Sequence, residues 1–203
     1  MKTDVLFVIL TENYWLFRGL ELLLPEITCQ QMPFGARSVP HYLRDATRVV
    51  IVVDSSIFFS GEWSAYNLLK EGRSDASMVW LSQEVTGRVF PEGSYGALVL
   101  KQKQSSISLR RALHWMLSGK ACRDEVYAHA VGLTSSEYLT LPWLLSGISM
   151  QQLSRLIDIP EKTLYGQRRR ILVKTGFRLW PFLQFVCGRN PDCRLAIMSR
   201  GVK

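Results

Sequence analysis

Five cations crowd one stretch of the chain, EKTLYGQRRRILVK, at Lys162, Arg168, Arg169, Arg170 and Lys174. At about 100° per residue of helix, Leu164, Gln167, Ile171 and Lys174 share one face, and Lys162, Tyr165, Gly166, Arg169, Arg170 and Val173 share the other. One face packs and the other is largely basic. A helix of this kind fits the major groove of B-DNA, where Arg and Lys side chains reach guanine edges and neighbouring cations hold phosphates. Arg169, in the middle of the stretch, is expected at a base edge, with Lys162 and Arg170 on phosphate. The candidate DNA-contact set is Lys162, Thr163, Tyr165, Gly166, Arg169, Arg170 and Lys174. A second set with chemistry in it, Glu12, Asp54, Ser82 and Lys101, lies just beyond four apolar runs. Residues beyond the carboxyl ends of parallel strands are where such sheets bind ligands.

The basic stretch needs a scaffold, and the residues before it supply one. Leu141, Leu144 and Leu145, then Leu153, Leu156 and Ile159, then Leu164 and Ile171 recur at three- and four-residue steps, broken by Gly147 and Pro160. That pattern predicts three short helices, with a fourth beginning near Trp180. Gly147 ends the first and the Ser149 hydroxyl caps the second. Ile157, Asp158, Ile159 and Pro160 form a turn, and Pro160 suits the start of a helix because it lacks an amide that would have no partner there. Pro142 falls inside the first helix, where its ring and missing amide cost about 3 kcal/mol unless the helix bends, so a kink is expected. The fourth helix, with Trp180, Phe182, Leu183, Phe185 and Val186, is apolar nearly all round and is expected to need a second surface over it. A dimer contact through Trp180, Phe182 and Phe185 follows. Residues 188–203 are expected to be a basic tail.

In the first half, Val5–Leu10 and residues 49–53, 78–81 and 97–100 are short apolar runs suited to strands covered on both faces. A helix carrying Trp15, Leu16, Leu20, Leu22, Leu23 and Leu24 follows the first and is closed by Pro25. Strand-like runs alternating with longer mixed segments predict a parallel sheet with helices on both faces. Residues 105–118 predict its last helix, whose apolar surface extends to Trp115. Residues 119–132 are polar and mixed and are expected to be a linker, partly helical through 124–130.

Composition sets bounds on this reading. The 203 residues are 47% hydrophobic, enough for one large or two small cored domains. The formal net charge of +8 is uneven: from Leu133 onward there are eleven Lys/Arg against four Asp/Glu, and before it fourteen against thirteen. The basicity belongs to the helix-turn-helix half, as a polyanion-binding region requires. Cys29, Cys122, Cys187 and Cys193 show no metal spacing and no dense disulfide framework, which points to a reduced cytosolic setting. His41, His114 and His129 are scattered, so neither a metal nor a cofactor is expected. No run approaches the roughly 20 apolar residues of a membrane span, and VLFVIL leads to Thr11 and Glu12, not to a cleavage site.

The stretch from 133 to 183 resembles the DNA-binding domain of LuxR-type regulators of the NarL/FixJ group. The family pattern is met by Leu133, Thr134, Glu137, Leu141, Leu144, Gly147, Ser149, Leu153, Ile159, Thr163, Ile171, Lys174 and Gly176. Ser154, Gln167 and Thr175 depart from it, and Gly166 lies on the DNA-facing side. Residues 3–118 more weakly resemble the receiver domain of response regulators. That resemblance implies a phospho-acceptor at Asp54, with Ser82 and Lys101 on the phosphoryl oxygens and Gly61 at a family glycine. The same resemblance puts Thr11 and Glu12 where an acidic pair holds Mg²⁺, and the loss of one carboxylate implies a degenerate receiver.

Together these imply an α/β receiver-like domain (1–118), a linker (119–132), an all-α helix-turn-helix domain (133–187) and a basic tail (188–203). The expected protein is a bacterial, cytoplasmic, nucleoid-associated transcriptional regulator and not an enzyme. It would bind double-stranded DNA as a homodimer or as a heterodimer with a related LuxR-type regulator, through Trp115 as well as the fourth helix, with RNA polymerase a further partner. Two alternatives stay open: an auxiliary protein that heterodimerises and contributes little DNA readout, and a working response regulator phosphorylated at Asp54.

Overall fold

Val49, Val50, Ile51, Val52 and Val53 are five consecutive β-branched residues, stiff at χ1 and suited to a pleated surface buried on both sides. They form the middle of a strand, and all five are buried. The computed structural model of the chain describes residues 5–118 and 126–198. Contacts divide them into a sheet unit, Met1–Glu84 with Gly96–Tyr127, and a helical unit, Val85–Tyr95 with Ala128–Lys203.

The sheet unit has six strands: β1 (Val5–Leu10), β2 (Thr28–Met32), β3 (Arg48–Asp54), β4 (Ser77–Ser82), β5 (Leu98–Lys101) and β6 (Val126–Tyr127). Their spatial order is β2-β1-β3-β4-β5-β6, parallel except for β6, which runs antiparallel to β5. The helices are α1 (Tyr14–Leu23), α2 (His41–Asp45), α3 (Ile57–Ser60), α4 (Ser64–Gly72) and α5 (Ser106–Ser118). Because side chains alternate along a strand, Phe7, Ile9, Val50 and Val52 meet Leu20 of α1, Leu24 just after it, and Leu109 and Leu113 of α5 in one core. Trp80 of β4 points the other way, stacked on Phe58 of α3 with Trp63 and Tyr66 around it. Helices cover both faces, as expected of a doubly wound sheet.

Two strands differ from the sequence expectation. TCQQM, β2, is a polar edge strand with only Cys29 and Met32 buried, so no apolar run marks it. Part of the expected linker helix is instead β6, whose Val126 and Tyr127 pair with Val99 and Leu98; residues 119–125 lie outside the described residues. Between β4 and β5 the chain makes two 3-10 turns, Glu84–Thr86 and Glu92–Ser94.

The helical unit contains α6 (Ser135–Leu145), α7 (Met150–Ile157), α8 (Glu161–Thr175), α9 (Trp180–Arg189) and α10 (Pro191–Met198). Helix α10 lies where a tail was expected. It packs on α9 and buries Cys193, Ala196 and Ile197, at the i, i+3, i+4 spacing of one helix face. Cys187 and Cys193 are both buried free thiols, and burial pushes Cys187 up to about 12 and Cys193 well above its ordinary value. No helix among the described residues is long and apolar enough to cross a membrane.

Candidate nucleic-acid interface

The local sequence starts and stops each helix of the unit. Thr134 and Glu137 form a reciprocal capping box at the start of α6, with the Thr134 amide donating to Glu137 Oε2 at 2.9 Å and the Glu137 amide to Thr134 Oγ1 at 3.3 Å. Helix α6 runs through Pro142 to Leu145. Ser149 Oγ accepts from the Gln152 amide at 3.3 Å and caps α7. Asp158 closes α7 at φ 53°, the one non-glycine with positive φ among the described residues, and short polar Asp adopts this conformation more readily than most residues. Pro160 then precedes α8 with φ −56°.

Helix α8 buries Leu164, Gln167, Ile171 and Thr175. Gln167 Nε2 donates to Ser136 Oγ of α6 at 2.7 Å, so this residue, one of the departures from the LuxR-type pattern, joins the two helices. Lys162, Thr163, Tyr165, Arg169 and Val173 lie exposed on the opposite side, with Gly166 beside them half-buried. A Cβ at Gly166 would meet only Arg170 Nη1, at 3.7 Å. Arg168 turns aside, its guanidinium 5.1 Å over the Trp180 ring.

Arg170 and Lys174 share a partner that spacing along α8 does not reveal. The Glu137 side chain is 1% exposed; its Oε1 accepts from Arg170 Nε at 3.2 Å and its Oε2 from Lys174 Nζ at 2.6 Å. Burial pushes the Glu137 carboxyl up, but Lys174 and the Thr134 amide outweigh it and hold it below the ordinary carboxylate value. One carboxylate thus caps α6 and fixes the azimuth of α8. The Arg170 bond uses Nε alone, and a guanidinium carries further N–H groups for a second acceptor.

Of the expected dimer residues, Trp180 is 4% exposed and belongs to the core under Arg168, which removes it from the candidate surface. Phe182 is half-buried between Phe177 and Phe185, with ring centroids 5.8 and 6.0 Å apart. Phe185 and Trp115 are exposed.

In the sheet unit, the strand ends bring Thr11 and Asp54 together. Asp54 is 1% exposed; its Oδ2 accepts from the Thr11 hydroxyl at 2.7 Å and its Oδ1 from the Ser56 amide at 3.0 Å. Glu12 Oε1 accepts from the Phe34 amide at 2.8 Å. Ser82 is half-buried, its hydroxyl 3.4 Å from the Gln83 carbonyl, and Lys101 is exposed. Gly61 closes α3 at φ 70°.

No family model matches the chain, and no curated relative does. Solved structures do match the fold. The structure of the two-component response regulator RcsB in complex with DNA superimposes with TM-score 0.63 at 13% identity, covering 91% of this chain and 98% of that one. One of two RcsB dimers bound to two parallel DNAs gives 0.64 at 12% over the same shares. RcsB from Salmonella enterica serovar Typhimurium, bound to promoter P1flhDC with phosphomimetic BeF3⁻, gives 0.61 at 13%, over 92% and 98%. The chain has the fold of a response regulator: a mostly parallel receiver-type sheet followed by a helix-turn-helix region.

Proposed function

We propose that this chain is a LuxR-type transcriptional regulator that reads DNA with α8, and that its sheet unit is a receiver that no longer takes a phosphoryl group. The observation that carries the DNA reading is the exposed face of α8, with Lys162, Tyr165 and Arg169 presented on a helix anchored through Glu137. Arg169 would read a base edge; Lys162 and the outer N–H groups of Arg170 would take phosphates. Thr163, Tyr165, Gly166 and Lys174 complete the contact set. The fold shared with RcsB structures solved in complex with DNA and as dimers on DNA supports the same reading.

The degenerate-receiver reading is supported by Thr11. A receiver holds Mg²⁺ with carboxylate oxygens around the acceptor. Here a hydroxyl stands beside Asp54 and donates to it, and Glu12 is bonded to a backbone amide. This donor set, a hydroxyl and an already bonded carboxylate beside Asp54, does not fit Mg²⁺.

A single short recognition helix buries too little surface for specific affinity, so the protein acts in pairs, as a homodimer or with a related regulator. Phe182, Phe185 and Trp115 are the candidate contacts. Selection of duplexes from a random pool, followed by titration of recovered and scrambled sequences, tests the function. The expected preference is about 10³-fold or more at physiological salt. A pool that never enriches sinks the reading.

A further inference from the structure

A helix ends with four carbonyls that have no partner within it. At the end of α8 the Thr175 hydroxyl donates back to the carbonyls of Ile171 and Leu172, at 2.8 and 3.3 Å. The Thr175 carbonyl accepts from the amide of Arg88 at 2.7 Å. Arg88 belongs to the connection between β4 and β5, far from α8 in sequence but part of the helical unit. The approach is closest at Gly87, whose φ is +67°: a Cβ there would lie 2.5 and 2.6 Å from the Phe177 ring and 2.7 Å from the Thr175 carbonyl oxygen. Gly176, which ends α8 at φ +74°, would place a Cβ 3.0 Å from Arg88 Cγ. Beyond this point Val89, Phe90 and Pro91 are buried, and the second 3-10 turn packs on α10.

We infer that residues 85–95 are a clamp on the end of the recognition helix, and that Gly87 and Arg88 are positioning residues for DNA readout. They act through Thr175, Gly176 and Phe177. The clamp fixes the residue after Lys174, and Lys174 with Arg170 holds Glu137. Freeing the last turn therefore loosens the azimuth of the whole basic face, which costs discrimination between sequences more than attraction to phosphate. The effect on DNA rests on the reading of α8 as the recognition helix; the clamp itself does not.

Amide hydrogen exchange and DNA titration on the full chain test it. The Arg88 amide should exchange as slowly as the last-turn amides of α8, in one cooperative unit. Gly87→Ala should speed both by about tenfold or more and cut the ratio of cognate to scrambled affinity by about tenfold, with scrambled affinity changed by less than about twofold. Gly96→Ala is the control, because Gly96 has φ +86° with nothing within 4 Å of a Cβ, so it meets the backbone cost without the close approach. That variant should leave the ratio and the α8 amides unchanged. An Arg88 amide exchanging like an open loop while α8 stays protected overturns the clamp, and so does a Gly87→Ala protein that behaves like Gly96→Ala. Should Gly87→Ala not fold, the wild-type Arg88 amide decides. A wild type that shows no sequence preference would refute the DNA reading, while the exchange arm still tests the clamp.

Discussion

Glu137 in the helical unit and Asp54 in the sheet unit are both carboxylates with 1% exposure, and they are satisfied in opposite ways. The Glu137 carboxylate gathers two cations and the Thr134 amide; Asp54 has a hydroxyl on one oxygen and an amide on the other. A buried charge balanced by cations fixes where those cations stand, so it sets the geometry of a basic surface. A carboxylate bonded to neutral donors carries no such cations, and on the proposed reading it serves the frame of its own unit. The contrast is between an acid that positions two basic side chains and one that is bonded only to neutral groups.

Removing the anchor should give the largest effect. Glu137→Ala deletes the capping box and leaves Arg170 and Lys174 without their shared acceptor. Lys174 is about one-third exposed and Arg170 more so, and both can turn to water, so the cost falls short of a fully buried pair: about 2–4 kcal/mol of stability in the helical unit. Urea unfolding monitored on the α8 amides measures it, and a loss under about 0.5 kcal/mol would break the comparison. Acid reads the same group. Because the folded carboxyl is held low, its contribution is complete above the unfolded value of about 4.3 and is lost as pH falls through the lower folded value. Glu137→Gln should flatten that part of the stability–pH curve.

Next in size is readout itself. Arg169→Ala should cost about 1–3 kcal/mol on the cognate duplex and relax specificity at one position, while Lys162→Ala should weaken all duplexes alike and lower the salt slope by about one. Equal losses on cognate and scrambled duplexes for Arg169→Ala would remove base readout from that residue. Gly166→Ala is smaller and of opposite sign. The space around it is open, and Ala should stabilise α8 by about 1 kcal/mol. If thermal stability rises while cognate affinity falls, Gly166 serves close approach to DNA; if both rise, it is only a soft point in the helix.

What could be read from residues alone was mostly local. The apolar spacing from Leu141 to Ile171, with Gly147, Ser149 and Pro160 at the helix ends, acts within a few turns of each helix and is enough to show the helix-turn-helix. Thr134 and Glu137 enter the sequence reading only as positions of the family pattern, and the two cations that Glu137 holds lie 33 and 37 residues further along, a distance periodicity cannot span. Strand β2 was hidden because an edge strand needs few apolar residues. Helix α10 did carry a signal, in the spacing of Cys193, Ala196 and Ile197, which the basic composition of the tail obscured. Trp180 read as surface because an all-apolar helix does not say which side is already covered. The clamp of residues 85–95 depends on two segments meeting across the chain, and nothing in either announces the other.

The smallest expected effect is at Asp54. If Thr11 and Ser56 have made this carboxylate structural, acetyl phosphate with Mg²⁺ should not label the protein, and Asp54→Asn should leave cognate DNA affinity within about twofold. Asn keeps an oxygen to accept one of the two bonds, but its amide group is a donor where the other oxygen was an acceptor, so a modest loss of stability is expected, about 1–2 kcal/mol, with no matching loss of DNA binding. Thr11→Val, nearly isosteric, removes only the hydroxyl and should cost a similar amount. Labelling and sedimentation distinguish the cases. Stoichiometric phosphorylation that vanishes in Asp54→Asn, with a change in complex size on labelling, would show that the pocket opens to a phosphoryl group despite the hydroxyl. The two buried carboxylates would then differ in how readily they are uncovered and not in kind.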